Sequence, residues 1–358
     1  MTVTTLADAR RCIRPVDDGA RRAAAELSDR LTKPRGSLGR LEALGEQLSA
    51  IARSCPPPLP MPVWVCVFAG DHGVVKEGVT PWPQEVTAQM VANFCGGGAA
   101  VNVLARTVGA EVMVVDVGVA SPLEDAPRLL RRNVRPGTAN LAVGPAMSAD
   151  EASDALDVGV AVADHVVSRG ARLLVCGDMG IGNTTPSAAL IAALTGREAR
   201  EVTGRGTGVD DETLVRKTAV VSAAVARLGP DGDPLATLAE VGGLEIAALA
   251  GYMIGGAALA MPVVLDGVIS CAAALVATAL APDTIDYLVA GHRSVEPGAG
   301  LSLSHLGLPP LLDLDLRLGE GTGALLAIPV VQSAARVLNE MATFDSAGVT
   351  DKDGAAPS

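Results

Sequence analysis

Aromatic residues are scarce, with three Phe, two Trp and two Tyr in 358 residues. A core of ordinary size must then be filled by Ala, Val, Leu and Ile, in elements that approach one another closely. Positive charge is in deficit as well, 28 Lys and Arg against 40 Asp and Glu, for a net charge of −12. Nothing in the chain forms the basic stripe that would neutralise a phosphate backbone, which argues against a nucleic-acid partner. Cysteines occur but do not pair by spacing: Cys12, Cys55, Cys66, Cys95, Cys176 and Cys271 are widely separated, and no CxxC occurs. They read as free thiols of a reducing cytoplasm. No His, Cys and Asp cluster has metal-ligand spacing, so neither a metal nor another cofactor is expected.

Targeting and membrane signals are equally thin. Residues 1–14 carry scattered charges and no apolar core, unlike a signal peptide. The one long uncharged run, Ile246 to Leu265, is diluted with Ala and Gly and runs straight into Asp266. It reads as a buried helix followed by a strand rather than a membrane span. Neither GxxxxGK[ST] nor GxGxxG is present, so neither a P-loop NTPase nor a dinucleotide-dependent dehydrogenase is indicated.

What is present is a repeated design. Apolar runs at Val63–Ala69, Glu111–Asp116, Arg172–Cys176, Pro262–Leu265 and Asp286–Ala290 end in polar, glycine-bearing turns, and helical patterns separate them. Alternating strand and helix implies an α/β fold, a mainly parallel open sheet with helices on both faces. The carboxyl ends of such strands lie along one edge, where ligands bind, so the turns Gly70-Asp71-His72, Asp116-Val117-Gly118, Gly177-Asp178, Asp266-Gly267 and Gly291 to Ser294 should converge. Residues 59–320 are expected to form this Rossmann-like domain. Residues 1–58 and 321–345 should form a small helical domain beside it, and the polar tail 346–358 should be disordered.

The richest turn is GDMGIGNTTPS, Gly177 to Ser187. Thr185 is placed to cap the following helix and Pro186 to open it. Gly180 and Gly182 let the backbone approach a ligand, and the helix start favours an anion, with phosphate as the natural guest. An ordinary strand-to-helix turn has the same outline.

Specificity comes from resemblance. GDMGIGNTT resembles the GEMGIGNTT signature of the nicotinate-nucleotide–dimethylbenzimidazole phosphoribosyltransferases, with Asp178 where Glu is expected. TKPRGSLGR at 32–40, GDHGV with PQEVT downstream, GRGTG followed by Lys217, EVGGLEIAALAGYMIGGAA, GHRSVEPG and LRLGEGTGA extend the resemblance over most of the chain.

The resemblance implies transfer of the 5-phosphoribosyl group of nicotinate mononucleotide to 5,6-dimethylbenzimidazole, in a cytoplasmic homodimer. It implies Glu320 as the general base, and Asp178 as a group that orients the ribose or assists electrostatically. The phosphate and nucleotide would be held by Gly180, Ile181, Gly182, Asn183, Thr184, Thr185, Lys217 and Ser294, and the aromatic base by Trp82 and Gln89. Each has a plainer reading, Glu320 as a helix-start glutamate and Lys217 as a solvated helix lysine. Transfer to adenine or a phenolic acceptor, and a noncatalytic nucleotide-binding homologue, are the alternatives.

Overall fold

The computed structural model describes residues 2–229 and 232–350. Its centre is a parallel sheet of β1 (Val63–Gly70), β2 (Glu111–Gly118), β3 (Leu129–Arg131), β4 (Leu173–Met179), β5 (Val263–Leu265) and β6 (Leu288–Ala290), ordered β3-β2-β1-β4-β5-β6. Strand order reverses between β1 and β4, which is the position where an open α/β sheet forms its ligand crevice. The register there pairs Cys66 with Cys176 and Phe68 with Asp178. β3 is an addition to the five expected strands; three residues inside an arginine-rich stretch carry no period to read.

Side chains alternate across the sheet because successive Cβ atoms in a strand point to opposite faces. Val63, Val65, Val67 and Ala69 of β1 pack on one face with Val91, Val101, Leu325 and Ile328. Cys66 and Phe68 pack on the other with Leu156, Leu249, Tyr252 and Cys271. The long helix Thr322–Glu340 serves two layers: Leu325, Ile328 and Val331 share the sheet core, while Leu338 packs with Ala24 and Leu31.

Ile246 to Leu265 is a buried helix, Leu244–Ala258, running into β5, as its composition suggested. Among the described residues no helix is long and apolar enough to cross a membrane. Its glycines serve close packing against the helix Ala149–Ser168: a Cβ on Gly251 would lie 2.0 Å from the Leu156 carbonyl oxygen, and one on Gly159 would lie 1.9 Å from that of Ala248. That contact is how a chain poor in aromatics fills its core.

Boundaries differ in places. Leu38, Leu41, Leu44, Leu48 and Ile51 have the spacing of a helix opening at Ser37, but this third N-terminal helix begins only at Arg40, because Gly36 and Gly39 both take positive φ in the preceding turn. A short helix, Phe344–Ala347, runs into the first residues of the expected tail; residues 351–358 lie outside the described residues, as does part of GPDGDP at 229–234, a stretch whose Gly and Pro read as a turn. Ser148 and Glu151, whose spacing in the sequence is that of a capping box, form one at the start of the helix Ala149–Ser168.

Candidate functional site

Beyond the carboxyl ends of β4, β5 and β6 lies a cleft of about 290 Å³, lined by Asp178, Gly180, Ile181, Asn183, Thr184, Ser294, Glu320 and, at its rim, Trp82. Gly182 and Lys217 line an adjoining recess that shares Thr184 and Gly206 with it. The strand ends contribute unequally. Those of β4, β5 and β6 reach the cleft, whereas those of β1 and β2 are tied to local backbone: Asp71 accepts from the Ala120 amide at 2.8 Å, and Asp116 accepts from Val119 at 2.9 Å.

The glycine loop is partly self-bonded. The amides of Asn183 and Thr185 donate to the carbonyls of Gly180 and Gly182, and the Ile181 amide donates to Thr87 Oγ1 at 3.1 Å. The helix starts at Thr184, with Asn183 in the cap position; the Asn183 side chain is drawn instead to Asp178 Oδ2 at 3.1 Å. Thr185 is therefore not the cap. It is fully buried, with its hydroxyl unpartnered, and does not line the cleft. Pro186 sits inside the first turn, where a missing N–H is still tolerated.

Lys217 is buried rather than solvated, and its Nζ donates to Thr184 Oγ1 at 2.7 Å and to the Gly204 carbonyl at 3.0 Å. Burial brings its pKa down to about 8, although Glu296 pulls the other way. Glu296 was missed in the sequence: its Oε1 accepts from the Gly206 amide at 2.7 Å, a partner ninety positions away that no local pattern reveals. Its own amide donates to Ser294 Oγ at 3.3 Å.

Glu320 occupies a turn in which Gly319, Glu320 and Gly321 all take positive φ, of 87°, 64° and 90°. For a non-glycine residue that conformation costs about 1–3 kcal/mol, and such strain collects at functional sites. Its Oε2 accepts weakly from the Val101 amide, 3.4 Å away at the start of the helix Ala100–Val108. Burial, with the negative charge of Asp266 behind it, raises its pKa against that hydrogen bond.

Asp178 is held well above the usual carboxylate range by burial, then by Asp266 and Glu245. Burial therefore favours its protonated form, and Oδ1 is buried and unpartnered. Behind the loop, His72 Nε2 and Glu245 Oε1 lie 2.7 Å apart, both fully buried. Burial works against the imidazolium, but Glu245 prevails and raises its pKa.

Gln89 is exposed and does not line the cleft; the helix Glu85–Gly96 offers Val86 and Met90 there instead. Arg317, also unread in the sequence, lines the mouth and donates to the Gly206 carbonyl at 3.1 Å. No group of three or more His, Cys, Asp and Glu among the described residues is arranged to hold a metal ion.

A doubly wound parallel sheet with a cleft at its strand ends, a buried carboxylate lining it and a buried lysine in the recess beside it has the build of an enzyme, and residues 13–349 match the family model described as phosphoribosyltransferase. The chain is 59% identical to the nicotinate-nucleotide–dimethylbenzimidazole phosphoribosyltransferase of Salinispora tropica, covering 95% of this chain and 98% of that one. It is 53% identical to the protein of that name from Chloroflexus aggregans, over 95% and 96%. The crystal structure of CobT from Thermus thermophilus superimposes with a TM-score of 0.90 at 52% identity, covering 93% of this chain and 99% of that one. The chain belongs to the nicotinate-nucleotide–dimethylbenzimidazole phosphoribosyltransferase family, and it is an enzyme of that type.

Proposed function

We propose that this enzyme moves the 5-phosphoribosyl group of nicotinate mononucleotide to 5,6-dimethylbenzimidazole, inverting the anomeric carbon and giving α-ribazole 5′-phosphate and nicotinate. The observation that carries the reading is the placement of a buried, strained carboxylate, Glu320, in the cleft that the glycine loop lines, with a buried lysine in the recess adjoining it.

The 5′-phosphate sits at the start of the helix Thr184–Thr195, on the amides of Gly182 and Thr184, the Thr184 hydroxyl and the Lys217 ammonium. Arg317 at the mouth is a counter-charge for the pyridine carboxylate, and Val86, Met90 and Trp82 form an apolar wall for the aromatic acceptor. One benzimidazole nitrogen attacks C1′ as the C1′–N bond to the pyridinium breaks, and that electron pair returns to the pyridine ring. The leaving group therefore needs no proton. The proton on the other benzimidazole nitrogen passes to the Glu320 carboxylate, whose raised pKa makes it a better acceptor. Asp178, whose pKa burial raises, donates a hydrogen bond to the ribose or the incoming base when it holds its proton.

The protein acts as a homodimer in the cytoplasm: Trp82 and Leu318, both lining the cleft and half exposed, are surfaces that a second copy would cover, and free thiols suit a reducing compartment. Equilibrium sedimentation tests the assembly; a monomer at working concentration removes it. Glu320→Gln tests the central role: turnover should collapse while nicotinate mononucleotide still binds, and normal turnover would exclude Glu320 as the base.

A further inference from the structure

Asp266 follows β5 directly and is 1% exposed, with both carboxylate oxygens engaged. Oδ2 accepts from the Gly321 amide at 3.2 Å, and Oδ1 accepts from the Ala324 amide at 2.9 Å. His292 Nε2 stands 3.4 Å from Oδ1. The amide held by Oδ2 belongs to the residue that directly follows Glu320. On the other side of the turn, Thr322 donates from both its amide and its hydroxyl to the Gly319 carbonyl. The Glu320 peptide is thus clamped between β5 and the first turn of the helix Thr322–Glu340.

We infer that Asp266 is a positioning residue for the transfer reaction: by gripping Gly321 and Ala324 it holds Glu320 in the left-handed conformation that keeps the carboxylate at the cleft. The inference rests on reading Glu320 as the base. The reasoning is energetic. A non-glycine residue at positive φ relaxes unless its surroundings fix it, and two hydrogen bonds to one buried carboxylate are enough to offset strain of that size. Turn residues 319–321 already contain two glycines, so the backbone has little stiffness of its own with which to resist.

A carboxylate at a helix start also serves as a simple cap, so the test must read more than stability. The titratable and charged groups around Glu320 are Asp266 from β5, Asp178 from β4, His292 after β6, Arg317 on its own loop, and Glu245 behind Asp178. Among them, Asp266 raises the Glu320 pKa, so removing its charge should move the acid limb of kcat to lower pH.

In Asp266→Asn, kcat should fall about 10- to 100-fold while KM for nicotinate mononucleotide changes less than about threefold, and the acid limb should shift down. In a Glu320→Gln background the same change should cost less than about threefold more, because its effect runs through Glu320. A lower Tm with kcat and the acid limb unchanged, or equal losses in both backgrounds, would overturn the inference in favour of a cap alone. If Asp266→Asn does not fold, Asp266→Glu goes through the same cycle; there the charge stays, so kcat should fall with the acid limb in place, and an unchanged kcat overturns the proposal. Near-normal turnover in Glu320→Gln alone would instead defeat the assignment of the base.

Discussion

Lys217 Nζ lies 2.7 Å from Thr184 Oγ1, joining the helix Asp211–Ala226 to the first residue of the helix that follows the glycine loop. A buried ammonium at such a point is costly to keep charged, and the phosphate proposed to bind there would offset that cost. Burial has brought it down to about 8, so it loses its proton in the alkaline range unless a phosphate arrives to restore the charge.

The first expectation follows from that. kcat/KM for nicotinate mononucleotide, which reports the free enzyme, should decline as pH rises past about 8, while kcat at saturation should not decline there. Lys217→Ala should remove that limb and raise KM about 10- to 100-fold with little change in kcat. An unaltered KM would show that the amide loop holds the phosphate unaided.

Glu320 should act only as the carboxylate. Because its pKa is raised, the acid limb of kcat should lie above the range of an ordinary glutamate. Glu320→Gln should lose that limb and about 10²-fold or more of turnover. Initial rates from pH 4 to pH 8 provide the check.

Asp178 is raised well above the usual carboxylate value, so the folded protein still holds its proton in a window above about pH 4, where the unfolded chain has released it. The native state therefore binds more protons in that window, and its stability declines as pH rises through it. Asp178→Asn removes this term. The variant should gain Tm at pH 7 relative to the parent, and the gain should shrink toward pH 4. A Tm gain independent of pH would mean that Asp178 is ionised in the native protein.

Gly251→Ala sets two effects in opposition. Alanine gains about 1 kcal/mol of helix propensity, but the new Cβ would lie 2.0 Å from the Leu156 carbonyl oxygen. That contact is with backbone, which cannot swing aside, so overpacking wins and the variant should lose about 1–3 kcal/mol in urea denaturation. A stabilised variant would contradict the packing described for these two helices.

Much of this was legible in the chain itself. β1 and the first four residues of β4 are apolar runs because both faces of a central parallel strand are covered, and GDMGIGNTT marked a loop that lines the cleft at the sheet's edge. Illegible were features that depend on distant partners. Lys217 reads as a solvated helix lysine until Thr184 and Gly204 are brought beside it, and Glu296 has no meaning without Gly206. Thr185 looked like a cap on local chemistry, but the helix begins one residue before it, at Thr184, and Asn183 in the cap position turns its side chain to Asp178 instead of capping. Gln89 fell on the wrong side of the lining because Val86 and Met90, one helical turn apart, fill the cleft wall between them.

The central claim is tested most directly by incubating the purified protein with nicotinate mononucleotide and 5,6-dimethylbenzimidazole and determining the mass and anomeric configuration of the product. The account predicts an α-riboside 5′-phosphate of dimethylbenzimidazole with one nicotinate released per product. Failure to form it, or a β-configured product, would contradict direct inverting attack at the cleft, and a riboside formed only with adenine or a phenol would contradict the acceptor.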